Sequence, residues 1–220
     1  MLPTIIQAPH HDLGMLEGDQ DGDIAAEITI AVMGGQEHRD RHQALWWALS
    51  LGPPVDAEKD TAAAISAYRQ KFDSGMGEKL FQEYRSKEGT KPDDLFSYEY
   101  RSIVLAAIMM HVGAEIKQEH IEHLRELVPK IPSREGYQWP ILGDDGFRGP
   151  GQRQFRAALD NYKSGTPRSF EQPSCHGCGK VAADIGKPLL RCAGCSIARG
   201  WFCDKVCPST FQAGYERFLT

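Results

Sequence analysis

All six cysteines of this 220-residue chain lie between Cys175 and Cys207, and the first 174 residues contain none. They fall in three close pairs: Cys175-x2-Cys178, thirteen residues, Cys192-x2-Cys195, seven residues, and Cys203-x3-Cys207. A secreted disulfide protein of this size would staple its larger part too, so clustering at this spacing points to a bound metal instead. A CxxC knuckle turns two thiolates toward one tetrahedral ion at about 2.3 Å, the geometry of structural zinc. Gly177, Gly179 and Gly194 stand beside or inside the first two pairs, where positive backbone angles let amides face the sulfurs. The arrangement divides the chain into a long cysteine-free part and a short metal-binding one.

The long part reads as helical. Gln43 to Leu51 is dense in apolar residues and stops at Gly52-Pro53-Pro54, where proline removes an amide donor. Within Ala57–Phe72 the residues Ala64, Ile65, Tyr68 and Phe72 recur at intervals of three and four, which stacks them on one helix face. A helix over Met76–Tyr84 follows. Leu95–Val112 is apolar over most of its circumference and is the expected central helix. Ala114–Val128 is amphipathic and ends at Pro129, and a last helix spans Gln152–Tyr162. The intervening 129–151 reads as a long loop packed by Tyr137, Trp139 and Phe147. Residues 1–42 mix acids, histidines and glycines with one short apolar run, Ile28–Met33, and read as a flexible arm with a strand. KSGTPRSFEQPS has linker composition and sets a boundary at 164–174. The fold class expected is therefore mainly α: a helical domain over 43–163, then a small zinc-bound cysteine-rich finger over 175–220.

The pattern of CxxC, spacer, CxxC, spacer, aromatic-Cys-x3-Cys is similar to the MYND zinc finger, with Phe202 as the aromatic before Cys203. The resemblance covers about one fifth of the chain. It implies a cross-brace in which Cys175, Cys178, Cys203 and Cys207 share one zinc, while Cys192 and Cys195 belong to a second site. Family members close that second site with a helix bearing a His and then a Cys. Here PSTFQAGYERFLT carries neither, with Tyr215 and Leu219 near those positions. The second zinc is expected to be weakened or missing, or to borrow His176, Asp204 or Glu216. A competing assignment is sequential, as in a zinc ribbon, joining Cys175, Cys178, Cys192 and Cys195.

As to function, net charge of −5 and a pI near 5.9 speak against a protein that grips nucleic-acid phosphates. No window of roughly 18 apolar residues occurs, and the start MLPTIIQAPHHDLG lacks the flanks of a signal peptide, so an intracellular protein of nucleus or cytoplasm is expected. The resemblance implies binding of proline-containing peptide segments of transcriptional regulators, in a groove bordered by Trp201 and Phe211. The alternatives are a RING-like ubiquitin ligase module and an enzyme in the helical domain with a structural zinc. A RING module needs a central Cys-x-His element, and no His lies between Cys178 and Cys207. Two histidine groups invite other metal readings. His120 and His123 in QEHIEH read as a solvated helix face, and His10-His11-Asp12 sits in the acidic arm. Trp46 and Trp47 are adjacent and cannot both face one core. No phosphate loop, nucleophile elbow or SET-type motif appears.

Overall fold

A computed structural model describes residues 14–16, 18–34, 58–90, 96–134, 146–191 and 201–204. The described part is mainly helical. The expected helix at 43–51 with Trp46 and Trp47, the histidines at 10 and 11 with Asp12, and Tyr137 and Trp139 lie outside the described residues.

The first element corrects the reading of 1–42. Asp19–Met33 is a 15-residue helix, α1, ending at Gly34. Ile24, Ile28 and Val32 recur every fourth residue and are almost fully buried, so the apolar run is the last part of a helical stripe and no strand forms there. Neighbouring acids and glycines hide that stripe in the sequence, yet two of the charges are anchors. Buried Asp21 accepts from Tyr100 Oη at 2.6 Å and from the Leu16 amide at 3.0 Å, and Glu27 pairs with the buried Arg101.

Helix α2 spans Glu58–Lys71 and passes through a π turn, Phe72–Met76, into α3, Gly77–Lys87. Gly77 lets α3 approach the next helix closely, because a Cβ there would run into the Met109 side chain. Helix α4, Tyr98–Val112, begins where Ser97 Oγ accepts from the Tyr100 amide at 3.2 Å and ends on left-handed Gly113. Every residue from Tyr100 to Val112 is buried. The central helix expected at 95–112 is therefore present, with α1, α2, α3 and the following helix packed on it.

Helix α5, Gln118–Leu127, directs Ile121, Leu124 and Leu127 inward and continues as a short 3-10 turn, Val128–Lys130. Strands β1, Ser133–Arg134, and β2, Phe147–Arg148, pair in parallel, with Ser133 opposite Phe147. Phe147 is buried beside Tyr100 and Phe155. Helix α6, Gly149–Asn161, buries Phe155, Ala158 and Leu159 at helical spacing.

The stretch 164–174 is largely exposed but is anchored to the helical part at separate points. The Gly165 amide donates to Gly113 O and the Arg168 amide to Met110 O, both at 3.0 Å. Phe170 is 5% exposed and belongs to the main core. Polar composition conceals this, since the segment's backbone groups supply the anchoring and only Phe170 supplies apolar area.

Candidate metal centre

The cysteine region is built as a knuckle on a small ladder. The Cys175 amide donates to Lys180 O at 2.8 Å and the Gly179 amide to Cys175 O at 2.7 Å, closing a tight loop over 175–180. Ser174 bridges Val181 in antiparallel fashion. One helical turn follows, Ala182–Ile185, whose Asp184 carboxylate accepts from the Val181 amide at 3.0 Å. The same carboxylate takes two hydrogen bonds from Arg168, at 2.6 and 2.7 Å, a fork that ties the turn to the anchored strap before it. Strands β3, Leu190–Arg191, and β4, Trp201–Phe202, pair antiparallel. β4 also reaches back to the knuckle, where Cys175 bridges Trp201 and the His176 amide donates to Trp201 O at 2.9 Å.

That last contact delivers Cys203. The sulfurs of Cys175, Cys178 and Cys203 all lie within 4.8 Å of one another, and those of Cys178 and Cys203 are 3.7 Å apart. Ligands at about 2.3 Å from a tetrahedral ion stand roughly 3.8 Å from each other, so the spacing fits zinc. Cys175 is buried, and Cys178 and Cys203 are half-buried. Burial first, and then the neighbouring Cys175 and Cys203, push the Cys178 thiol up to about 11, against the pull of the Lys180 amide. A divalent cation is the group that would convert such sheltered thiols to thiolates. Cys192, Cys195 and Cys207 lie outside the described residues, as does Phe211.

No family model, curated protein or solved structure matches this chain. The site must therefore be read from its own geometry. One residue that motif spacing flagged only as a knuckle glycine has a second role. Gly179 has φ of 74°, and a methyl there would overlap the Arg153 backbone. The knuckle thus rests directly on α6, which no cysteine pattern could indicate.

A second group of potential ligands, Glu78, Glu119 and His120, is also close-set. Here the structure corrects the solvated-face reading of QEHIEH. His120 is 1% exposed and stacks on Phe81 with centroids 4.4 Å apart. Its Nε2 is 2.9 Å from Glu78 Oε2, and Arg85 lies 3.4 Å from its Nδ1. Lys117 stands 3.2 Å from the same Glu78 oxygen. The hydrogen bond from His120, with help from Lys117 and Gln82, holds the Glu78 carboxyl below its ordinary range. Cationic and ring partners already engage these atoms, which makes the group an α3–α5 polar seam. His123 extends the seam, 2.7 Å from Glu88. Among the described residues, no helix is long and apolar enough to cross a membrane.

Proposed function

We propose that the cysteine region is a zinc-stabilised protein-interaction module of MYND-like type, carried on the helical domain and acting as a regulatory adaptor for proline-containing peptides. The observation that carries the metal part is the gathering of Cys203 with Cys175 and Cys178 within 4.8 Å. The β4 ladder brings Cys203 back across 25 residues to the knuckle, and three buried or half-buried sulfurs set this close suit a thiophilic ion. The grouping favours the interleaved assignment over the sequential ribbon, with Cys207 as the fourth ligand of that site. The adaptor part is supported by the β3–β4 surface. Leu190 is 49% exposed, and Arg191 covers the half-buried Trp201 ring at 5.6 Å, an aromatic and cationic face suited to an extended peptide.

Native mass spectrometry of the full chain should find zinc bound, and Cys203→Ser should release the ion from this site. Retention of the same zinc count by the variant would favour the ribbon assignment. Titration of a synthetic proline-rich peptide into the zinc-loaded chain should give saturable binding that Cys203→Ser abolishes, and absence of binding to the loaded chain would sink the adaptor reading.

A further inference from the structure

Ser174, immediately before the first cysteine, is buried, and its Oγ accepts from Gln154 Nε2 at 2.9 Å. Gln154 projects from α6 and is 9% exposed. Its Oε1 accepts from the Met15 amide at 2.8 Å, across 139 residues of chain. The orientation of this amide is dictated by its partners. Met15 N–H can only donate, so the oxygen must face it, leaving the NH₂ for Ser174.

Beyond Met15 the connection continues inward. The Leu16 amide donates to Asp21 Oδ2 at 3.0 Å, and Asp21 Oδ1 accepts from Tyr100 Oη at 2.6 Å. Met15 and Leu16 are 2% and 3% exposed. The segment lies hard against α6, because a Cβ on Gly151 would come within 3.3 Å of Met15 N. A single side-chain amide thereby joins the cysteine knuckle, α6 and the segment that leads into α1.

We propose that metal occupancy of the cysteine cluster controls the seating of Met15 and Leu16 on α6, with Gln154 as the coupling residue. The inference rests on the zinc reading given above. With the ion in place, the knuckle is held and Ser174 keeps a fixed hydroxyl for Gln154. Without it, Cys203 is no longer tied to Cys175 and Cys178, Ser174 shifts with the knuckle, and Gln154 Nε2 loses its acceptor. A buried amide cannot leave its NH₂ unpaired at low cost. Rotation to recover a partner withdraws Oε1 from Met15. The output of metal loss is then a freed Met15–Leu16 segment at the entrance to α1, distant in sequence from every cysteine.

The test uses the full chain, loaded with zinc chloride or stripped by a chelator, with bound metal counted in the same samples by native mass spectrometry. Amide hydrogen exchange at Met15 and Leu16 should be about tenfold faster after stripping, the scale of one buried hydrogen bond lost. Ser174→Ala deprives Gln154 Nε2 of its acceptor whether or not the ion is bound, so Met15 should exchange fast in both states and the difference should shrink to about twofold or less. Gln154→Ala should exchange rapidly in both states. Unchanged Met15 exchange after the ion has demonstrably left, or a full tenfold difference persisting in Ser174→Ala, overturns the coupling and leaves the zinc reading standing. A chain that takes up no zinc overturns both.

Discussion

Helix α4 and the cysteine knuckle are both sheltered from water, but by different means. Around α4, the thirteen residues from Tyr100 to Val112 are buried among side chains of the main core such as Ile24, Phe72, Phe81 and Leu124. Around Cys175, the neighbours are two other thiols, a two-stranded ladder and the backbone of α6. The bundle gains stability in proportion to apolar area removed from water. The described part of the module buries few apolar side chains, Val181, Leu189 and Phe202 among them, so on the metal reading proposed above its stability comes from a few directional bonds and an ion.

The comparison is broken most directly by chelation. Removing zinc should abolish hydrogen-exchange protection at the Cys175 and Gly179 amides while the interior amides of α4 keep theirs, since the ion's binding free energy, on the order of 10 kcal/mol in zinc-finger peptides, resides in the module. Equal loss of protection in α4 would show that the bundle too is metal-dependent. Next in size, Ile108→Ala empties a fully buried position of α4 and should cost about 2–5 kcal/mol in urea denaturation, with the zinc count unchanged. A variant that lost zinc as well would make the two regions one folding unit.

A smaller effect sharpens the contrast through pH. Burial holds the His111 imidazole near a pKa of about 4, against 6.5 in an open chain, and its Nδ1 meets no hydrogen-bond partner among the described residues. The unfolded chain takes up a proton below pH 6.5, which the folded chain refuses until about pH 4. Bundle stability is therefore complete above 6.5 and falls by roughly 3 kcal/mol as pH drops to 4. Unfolding free energies from urea titrations of the chelated wild type and of chelated His111→Leu, followed over that range, should diverge by this amount. Parallel pH profiles would count against a buried neutral imidazole.

How far the sequence discloses each region follows the same division. The α4 helix is legible because its residues are apolar on all sides, a pattern few alternatives share. The gathering of Cys175, Cys178 and Cys203 is legible because close cysteine pairs of the kind a metal site requires stand out against a cysteine-free background. What is not legible is where polar residues face inward. Asp21 and Glu27 make α1 look like a solvated arm, although Ile24, Ile28 and Val32 already carry helical spacing. His120 looks exposed between two glutamates, because a stacking partner 39 positions earlier in the chain, Phe81, cannot be inferred from local pattern. The strap over 164–174 has linker composition because its hold on α4 is made by main-chain amides, which are identical in every sequence.

The hydrogen bond between Met15 and Gln154 also has a consequence for how the chain is made. A ribosome adds about 5–20 residues per second, so the 139 residues between the two partners take on the order of ten seconds to synthesise. During that interval Met15 and Leu16 have emerged with no α6 to receive them. The entrance to α1 is thus translated well before the helix that receives it and reaches its native place only afterwards, so a nascent-chain chaperone would find it open while much of the bundle was already assembling.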